Sequence, residues 1–354
     1  MSREPSSAPQ HIFRWDLDKT YLHTEFDHWL DLLKTAVETP ETKRAMPGAA
    51  RLIRALREHQ PSRVTILSGS PEQMRGALES KLRLDGIAWD EFTLKPSVRN
   101  ILRLRFRALR DQVGYKLPAL LDARTRVPQD VPETLFGDDA EADALVYSLY
   151  ADVLAGKVSD RQLTAVLEQS STYADVVSET IRLVHRTARG DVVRRIFIHL
   201  ERRSDPGFFR IYGPRVVPVS NYLQAAAVLV SDGLLGTDAL APIAAAVHTE
   251  TKLSVTEIAE SLHALVRRGD LAPDVVHRIA KALADSPPPV DLTADELTHL
   301  ADALQDTPPA GDPPPVVAID YLDALADDRA RWEAARDAAR VRGREQRART
   351  PSDE

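Results

Sequence analysis

Asp16 and Asp18 stand one residue apart, directly after the apolar-rich run His11–Trp15, and are followed by Lys19 and Thr20. Side chains two apart on an extended segment share a face, and a turn that begins after Asp16 aims both carboxylates at one ligand. Crowded carboxylates repel unless a proton or a cation is shared between them. Mg²⁺ relieves that repulsion, because this hard ion takes carboxylates, a backbone carbonyl, waters and phosphate oxygens. The competing reading of the same residues is a solvated turn with an N-capping aspartate. A second acidic group, Gly137-Asp138-Asp139 with Asp143 a helical turn later, follows another short apolar run and strengthens the case for an ion. Between the two groups lie the hydroxyl of Ser68 and two lysines, Lys95 and Lys116, the kinds of donor and positive charge that phosphoryl oxygens need. Lys116 is the favoured lysine, since it opens the last helix before the final strand, with room for one helix and one strand to return to the same sheet edge. Lys95 stays open as the alternative.

The elements around these residues read as βα units. Short strands are expected at His11–Trp15, Arg63–Leu67, Phe92–Leu94 and Thr134–Phe136, and helices at about 29–37, 48–59, 71–82, 98–112 and 117–123. Three of the strands run straight into a polar cluster, and the carboxyl ends of strands are where open α/β sheets bind ligands. The expected fold class is therefore α/β, a Rossmann-like parallel sheet. Beyond about residue 157 the texture changes. Arg194–Leu200 and Phe208–Val219 alternate enough to suggest a β-hairpin around Ser204-Asp205-Pro206-Gly207, and after Asn221 the chain is helical, with capping boxes at Ser254/Glu257 and Thr293/Glu296. The expected division is 1–157 for the α/β domain, 158–326 for a mainly helical accessory domain, and 327–354 for a charged helix or tail.

Asp16-Leu17-Asp18-Lys19-Thr20, then Ser68, a lysine, and Gly137-Asp138-Asp139 through Asp143 resemble the four ordered motifs of the haloacid dehalogenase superfamily. Within it, Leu67-Ser68-Gly69-Ser70-Pro71, Tyr115-Lys116-Leu117 and Phe136-Gly137-Asp138 through Asp143 and Tyr147 resemble the catalytic domain of the actin-patch-associated phosphatidate phosphatases. The resemblance covers about the first 155 residues, and Lys19 departs from the narrower family's pattern. It implies a Mg²⁺-dependent hydrolase of phosphoric monoesters. In that picture Asp16 is the nucleophile and Asp18 the acid and base. Thr20 braces the loop, Ser68 and Lys116 hold phosphate, and the Leu17 carbonyl with Asp16 and Asp138 holds the metal. Asp143 matches the distal acid in the longer form of the last motif, and Asp139 in the shorter form.

The composition limits the alternatives. With 354 residues, 43% of them hydrophobic, the chain has material for more than one core, and with no cysteine it forms no disulfide or thiolate site. No apolar run suits a signal peptide or a membrane span, so a cytoplasmic protein is expected. There is no Gly-x-x-x-x-Gly-Lys loop for a fused kinase. The stretches between the motifs leave no room for a cap, which implies an open site and a large or membrane-borne phosphomonoester, phosphatidate first. Arg99, Arg103, Arg105, Arg107 and Arg110 are candidates to face such a surface. The alternative is a scaffold with a regulatory or inactive core, binding a protein partner through the carboxy-terminal region.

Overall fold

The structure is a computed structural model that describes residues 10–18, 20–21, 46–95, 108–331 and 333–334, with the side chains of 108–111 left aside. The helix expected at 29–37, four of the five arginines of the basic run, the expected absence of a cap, and most of the 327–354 tail fall largely or wholly outside these residues.

Six strands form one parallel sheet: β1 (His11–Asp16), β2 (Ser62–Pro71), β3 (Glu91–Lys95), β4 (Glu133–Asp138), β5 (Val193–His199) and β6 (Val216–Val219). Their order across the sheet is β3-β2-β1-β4-β5-β6, and each neighbouring pair is parallel. The chain builds outward to β3 on one side, then returns to place β4 on the other side of β1. The reversal falls between β1 and β4, the crevice where such sheets take ligands beyond the carboxyl ends of their strands. All six residues of β1 and of β4 are buried, as expected of central strands covered on both faces.

Two hydrophobic layers cover the sheet. One contains α1 (Ala49–His59), α2 (Arg75–Leu84) and the carboxy-terminal helices α7 (Tyr222–Ser231), α8 (Leu240–Thr251), α9 (Val255–Arg267), α10 (Pro273–Ala284) and α11 (Ala294–Ala303). The other contains α3 (Ala108–Arg124), α4 (Asp143–Leu154), α5 (Asp160–Gln169), α6 (Ala174–Arg186) and the helix that begins at Tyr321 and runs to residue 331. Alternation along the strands assigns the faces: Trp15, Phe136 and Phe197 enter the first layer, Leu135, Ile196 and Ile198 the second. Trp15 pairs in register with Phe136, and Phe136 with Phe197. Their rings stack at 3.8 Å and 5.1 Å between centroids, a cross-strand aromatic row that locks β1, β4 and β5 together.

The amino-terminal ends of the central strands are tied by charge. Glu133, fully buried, accepts from Arg14 Nε at 2.9 Å, Arg14 Nη2 at 2.7 Å, Arg124 Nη1 at 2.8 Å and the Tyr150 hydroxyl at 2.8 Å. The two guanidinium groups outweigh the cost of burial and hold its carboxyl at about 2.

Three expectations are corrected. The region 194–219 is not a hairpin: β5 and β6 are parallel and joined through a 3₁₀ segment, Pro206–Tyr212, which takes residues 208–212 out of any strand. Parallel pairing aligns the ends of β5 with those of β4, so residues of the span read as accessory extend the first sheet instead of forming a satellite to it. The helices expected at 98–112 and 117–123 are continuous from Ala108 to Arg124, despite Gly114 and Pro118. Val113, Leu117, Leu120 and Leu121 are all buried in the second layer, and that packing overrides the local breakers. The helix expected at 71–82 begins with a 3₁₀ turn at Glu72–Met74 and becomes α-helical only at Arg75. Both capping boxes are present, at the starts of α9 and α11. No helix of the described residues is long and apolar enough to cross a membrane.

Candidate metal and phosphate site

Asp16 ends β1 and Asp138 ends β4, so the two neighbouring strands deliver both carboxylates to the switch point. Asp143 opens α4 and turns back over the strand end, its Oδ2 accepting the Asp138 backbone N–H at 3.1 Å. Carboxylate oxygens of Asp16, Asp138 and Asp143 lie within 4.8 Å of one another, all buried. Gly137 makes this fold-back possible. A Cβ there would lie 2.5 Å from Asp143 Cβ and 2.7 Å from its Cγ, inside any allowed contact.

Lys116 enters from α3. Its ammonium is fully buried, 3.0 Å from Asp16 Oδ1, 2.8 Å from Glu141 Oε2, and in contact with Asp143 Oδ1. It also lies 5.9 Å from the centre of the Tyr147 ring. Burial alone would release its proton, but Asp143, Asp16 and Glu141 outweigh burial and hold the amine well above its ordinary range. Burial pushes the Asp16 carboxyl well above the carboxylate range, with Lys116 opposing and Asp143, Glu141 and Asp138 reinforcing. The Asp143 carboxyl is pushed up to about 6 by burial, against the pull of Lys116. One amine does not neutralise this group of acids, so its members hold protons or take a cation.

Asp18 lies beyond the strand end, facing β2. Its Oδ2 accepts from the Ser68 hydroxyl at 2.9 Å and the Ser70 hydroxyl at 2.6 Å. Ser68 Oγ in turn accepts the Ser70 backbone N–H at 3.0 Å, and Tyr115 donates to the Ser68 carbonyl at 3.0 Å. Thr20 Oγ1 donates to Asp138 Oδ2 at 3.3 Å, bracing the first loop against the second. The Leu17 carbonyl accepts the Tyr21 N–H at 3.1 Å, which occupies one of its two lone pairs.

Of the two distal acids, Asp143 stands in the carboxylate group and Asp139 does not. Asp139 Oδ1 accepts from the Arg202 N–H at 2.8 Å and its Oδ2 from the Ser204 N–H at 3.0 Å. It pins the turn after β5 beside the site instead of facing Asp16. Lys116 contacts Asp16, whereas Lys95, at the end of β3, places its ammonium 5.6 Å from the Tyr115 ring centre. Reading from the sequence missed Ser70, Glu141 and Tyr222. Ser70 carried a usable signal, two residues beyond Ser68, and Glu141 sat within an acidic run. Tyr222 carried none: its hydroxyl reaches the Thr20 carbonyl from 202 positions away.

The residues fit a hard divalent cation. The three clustered ligands are all oxygen donors, and neither Asp16 carboxylate oxygen, though buried, accepts an aligned hydrogen bond. The Lys116 ammonium touches Oδ1 only as an ion pair. No family model matches the chain, and no curated protein or solved structure matches it either.

Proposed function

We propose that the chain is a Mg²⁺-dependent phosphomonoester hydrolase of the haloacid dehalogenase type, with Asp16 as nucleophile. The observation that supports this most is the placement of Asp16: a buried carboxylate at the switch point, grouped with Asp138 and Asp143, beside the Lys116 ammonium. Asp16, Asp138 and Asp143, with the Leu17 carbonyl, are the residues that would hold the ion. When bound, it would neutralise charge on the carboxylates and on the phosphoryl oxygens.

Asp16 attacks phosphorus, forming a new P–O bond as the bond to the leaving oxygen breaks, and Asp18 supplies the proton that the leaving oxygen takes. Asp18 then takes a proton from the water that attacks the aspartyl phosphate, which releases inorganic phosphate and returns Asp16 as carboxylate. Ser68 and Ser70 orient Asp18 through its Oδ2. Lys116 keeps its proton throughout and adds positive charge beside the reacting oxygens. A large or membrane-borne phosphate remains the proposed substrate class.

The test is hydrolysis of an aryl phosphate with Mg²⁺ or with chelator, by wild type and by Asp16→Asn. Wild type should turn over only with the ion. Asp16→Asn should lose on the order of a thousandfold or more, a loss typical of removing a nucleophile, with its thermal transition preserved. Wild-type rates in Asp16→Asn would defeat the assignment. Failure of wild type on lipid, protein, nucleotide and sugar phosphates alike would favour a scaffold with an inactive core.

A further inference from the structure

The opposite edge of the sheet carries a second candidate site. The strands are parallel, so the amino-terminal ends of β5 and β6, at Val193 and Val216, face away from Asp16 and Asp138. There a cleft of about 910 Å³ opens between the start of α5, these two strand ends and the extended segment 316–320. That volume is within the range that holds a small-molecule ligand.

Five cationic side chains and three carboxylates line the cleft. Each carboxylate has a partner, although Asp320 is met only by backbone N–H groups and keeps its charge. Asp152 binds Arg215 at 3.1 Å, Lys157 at 3.4 Å and the Tyr321 hydroxyl at 2.8 Å. Asp191 binds Arg215 at 3.1 Å, and Asp320 accepts the Leu322 and Asp323 backbone N–H groups. Arg195 is held by both oxygens of Asp232, at 2.7 Å and 2.8 Å. Arg161 and Arg194 are left over. Both line the cleft, both are exposed, and neither has a hydrogen-bond or ion-pair partner among the described residues. Counting Asp232, five cations stand against four carboxylates, so the cleft carries one net positive charge in a protein of net charge -7.

The rest of the lining is mostly apolar, with Gln162, Tyr212 and Tyr321 the polar exceptions. Val158, Val166 and Val193 are buried beneath, while Val316 and Val317 stand 87% and 54% exposed at the rim. Guanidinium groups suit carboxylate or phosphate, and the valines suit a saturated chain. The ion pairs of Asp152 and the Tyr321 bond fix the walls in advance, which lowers the ordering cost of binding.

We propose that this cleft binds a small amphiphilic anion, a carboxylate or phosphate head on an aliphatic body, at a site separate from the catalytic carboxylates. Arg161 and Arg194 take the head, and Val316 and Val317 cover the chain.

Calorimetric titration of the full chain with octyl phosphate, octanoate, octanol and inorganic phosphate tests this. Saturable binding of one equivalent of octyl phosphate or octanoate, at least tenfold tighter than octanol and inorganic phosphate, supports the proposal, and the tighter of the two heads identifies the natural one. The double variant Arg161→Gln/Arg194→Gln should bind at least tenfold more weakly with an unchanged thermal midpoint, and Val317→Asp should also weaken binding. Asp16→Asn should bind like wild type, which separates this site from the phosphatase reading. Octanol binding as tightly as the anions, wild-type affinity in the double variant, or loss of binding in Asp16→Asn would each overturn it.

Discussion

Replacing Lys116 by methionine keeps the length and apolar stem of the side chain and removes its charge from among three carboxylates. At an effective dielectric of about 20, one charge pair at the 3.0 Å separation of Lys116 and Asp16 attracts by about 5–6 kcal/mol. Desolvation offsets much of that in the intact pair, but deleting one member leaves the other buried and uncompensated, at a cost of about 3–5 kcal/mol. Against a total stability of roughly 5–15 kcal/mol this is a large fraction, and it should lower the thermal midpoint by on the order of 10 °C. The sign with pH follows from the carboxyls. Without the ammonium, Asp16 and Asp143, whose carboxyls burial already raises, hold protons more tightly in the folded chain than in the unfolded one. The deficit therefore grows as pH rises above the ordinary carboxyl range near about 4, and shrinks as pH falls back toward it. Urea unfolding of wild type and Lys116→Met in chelator, at pH 5 and pH 8, reads this directly, and saturating Mg²⁺ should recover part of the pH 8 loss. Equal stability of the two proteins at pH 8, or a deficit unchanged between the two pH values, would refute the electrostatic account of the site.

Gly137→Ala forces a methyl group against Asp143 and should cost about 1–3 kcal/mol, with a smaller stabilisation by Mg²⁺ than wild type shows in thermal melts. Asp139→Ala strands the Arg202 and Ser204 backbone N–H groups at a cost of about 1–3 kcal/mol and should speed amide exchange across 200–205, yet leave the Mg²⁺-induced shift in place. Glu133 titrates near about 2 when folded and near about 4.5 when unfolded, so its contribution is complete above the unfolded value and disappears as pH falls through about 2. Glu133→Gln should accordingly flatten the acid limb of a stability-against-pH curve between those values.

The residues that gather at the carboxylate cluster were legible because their signals are local. Asp16, Asp18, Ser68, Asp138 and Asp143 each follow a short apolar run or open a helix, and parallel strands carry such positions to one edge whatever surrounds them. The capping boxes at Ser254 and Thr293 were legible for the same reason, since their hydrogen bonds span three residues. What the tertiary structure alone decided is anything that depends on which surfaces meet. The direction of β6 could not be read from Val216–Val219, because a four-residue apolar run pairs equally well in either sense until its neighbours are placed. Asp139 and Asp143 are equally acidic in the sequence, and the turn after β5 claims one of them for its backbone N–H groups. The helix around Lys116 survives Gly114 and Pro118 because its apolar face has a sheet to cover, and that same packing buries the amine beside Asp16. Local spacing determined which residues could do chemistry, and long-range packing, whose contacts lie up to 202 positions apart, decided which of them share a site.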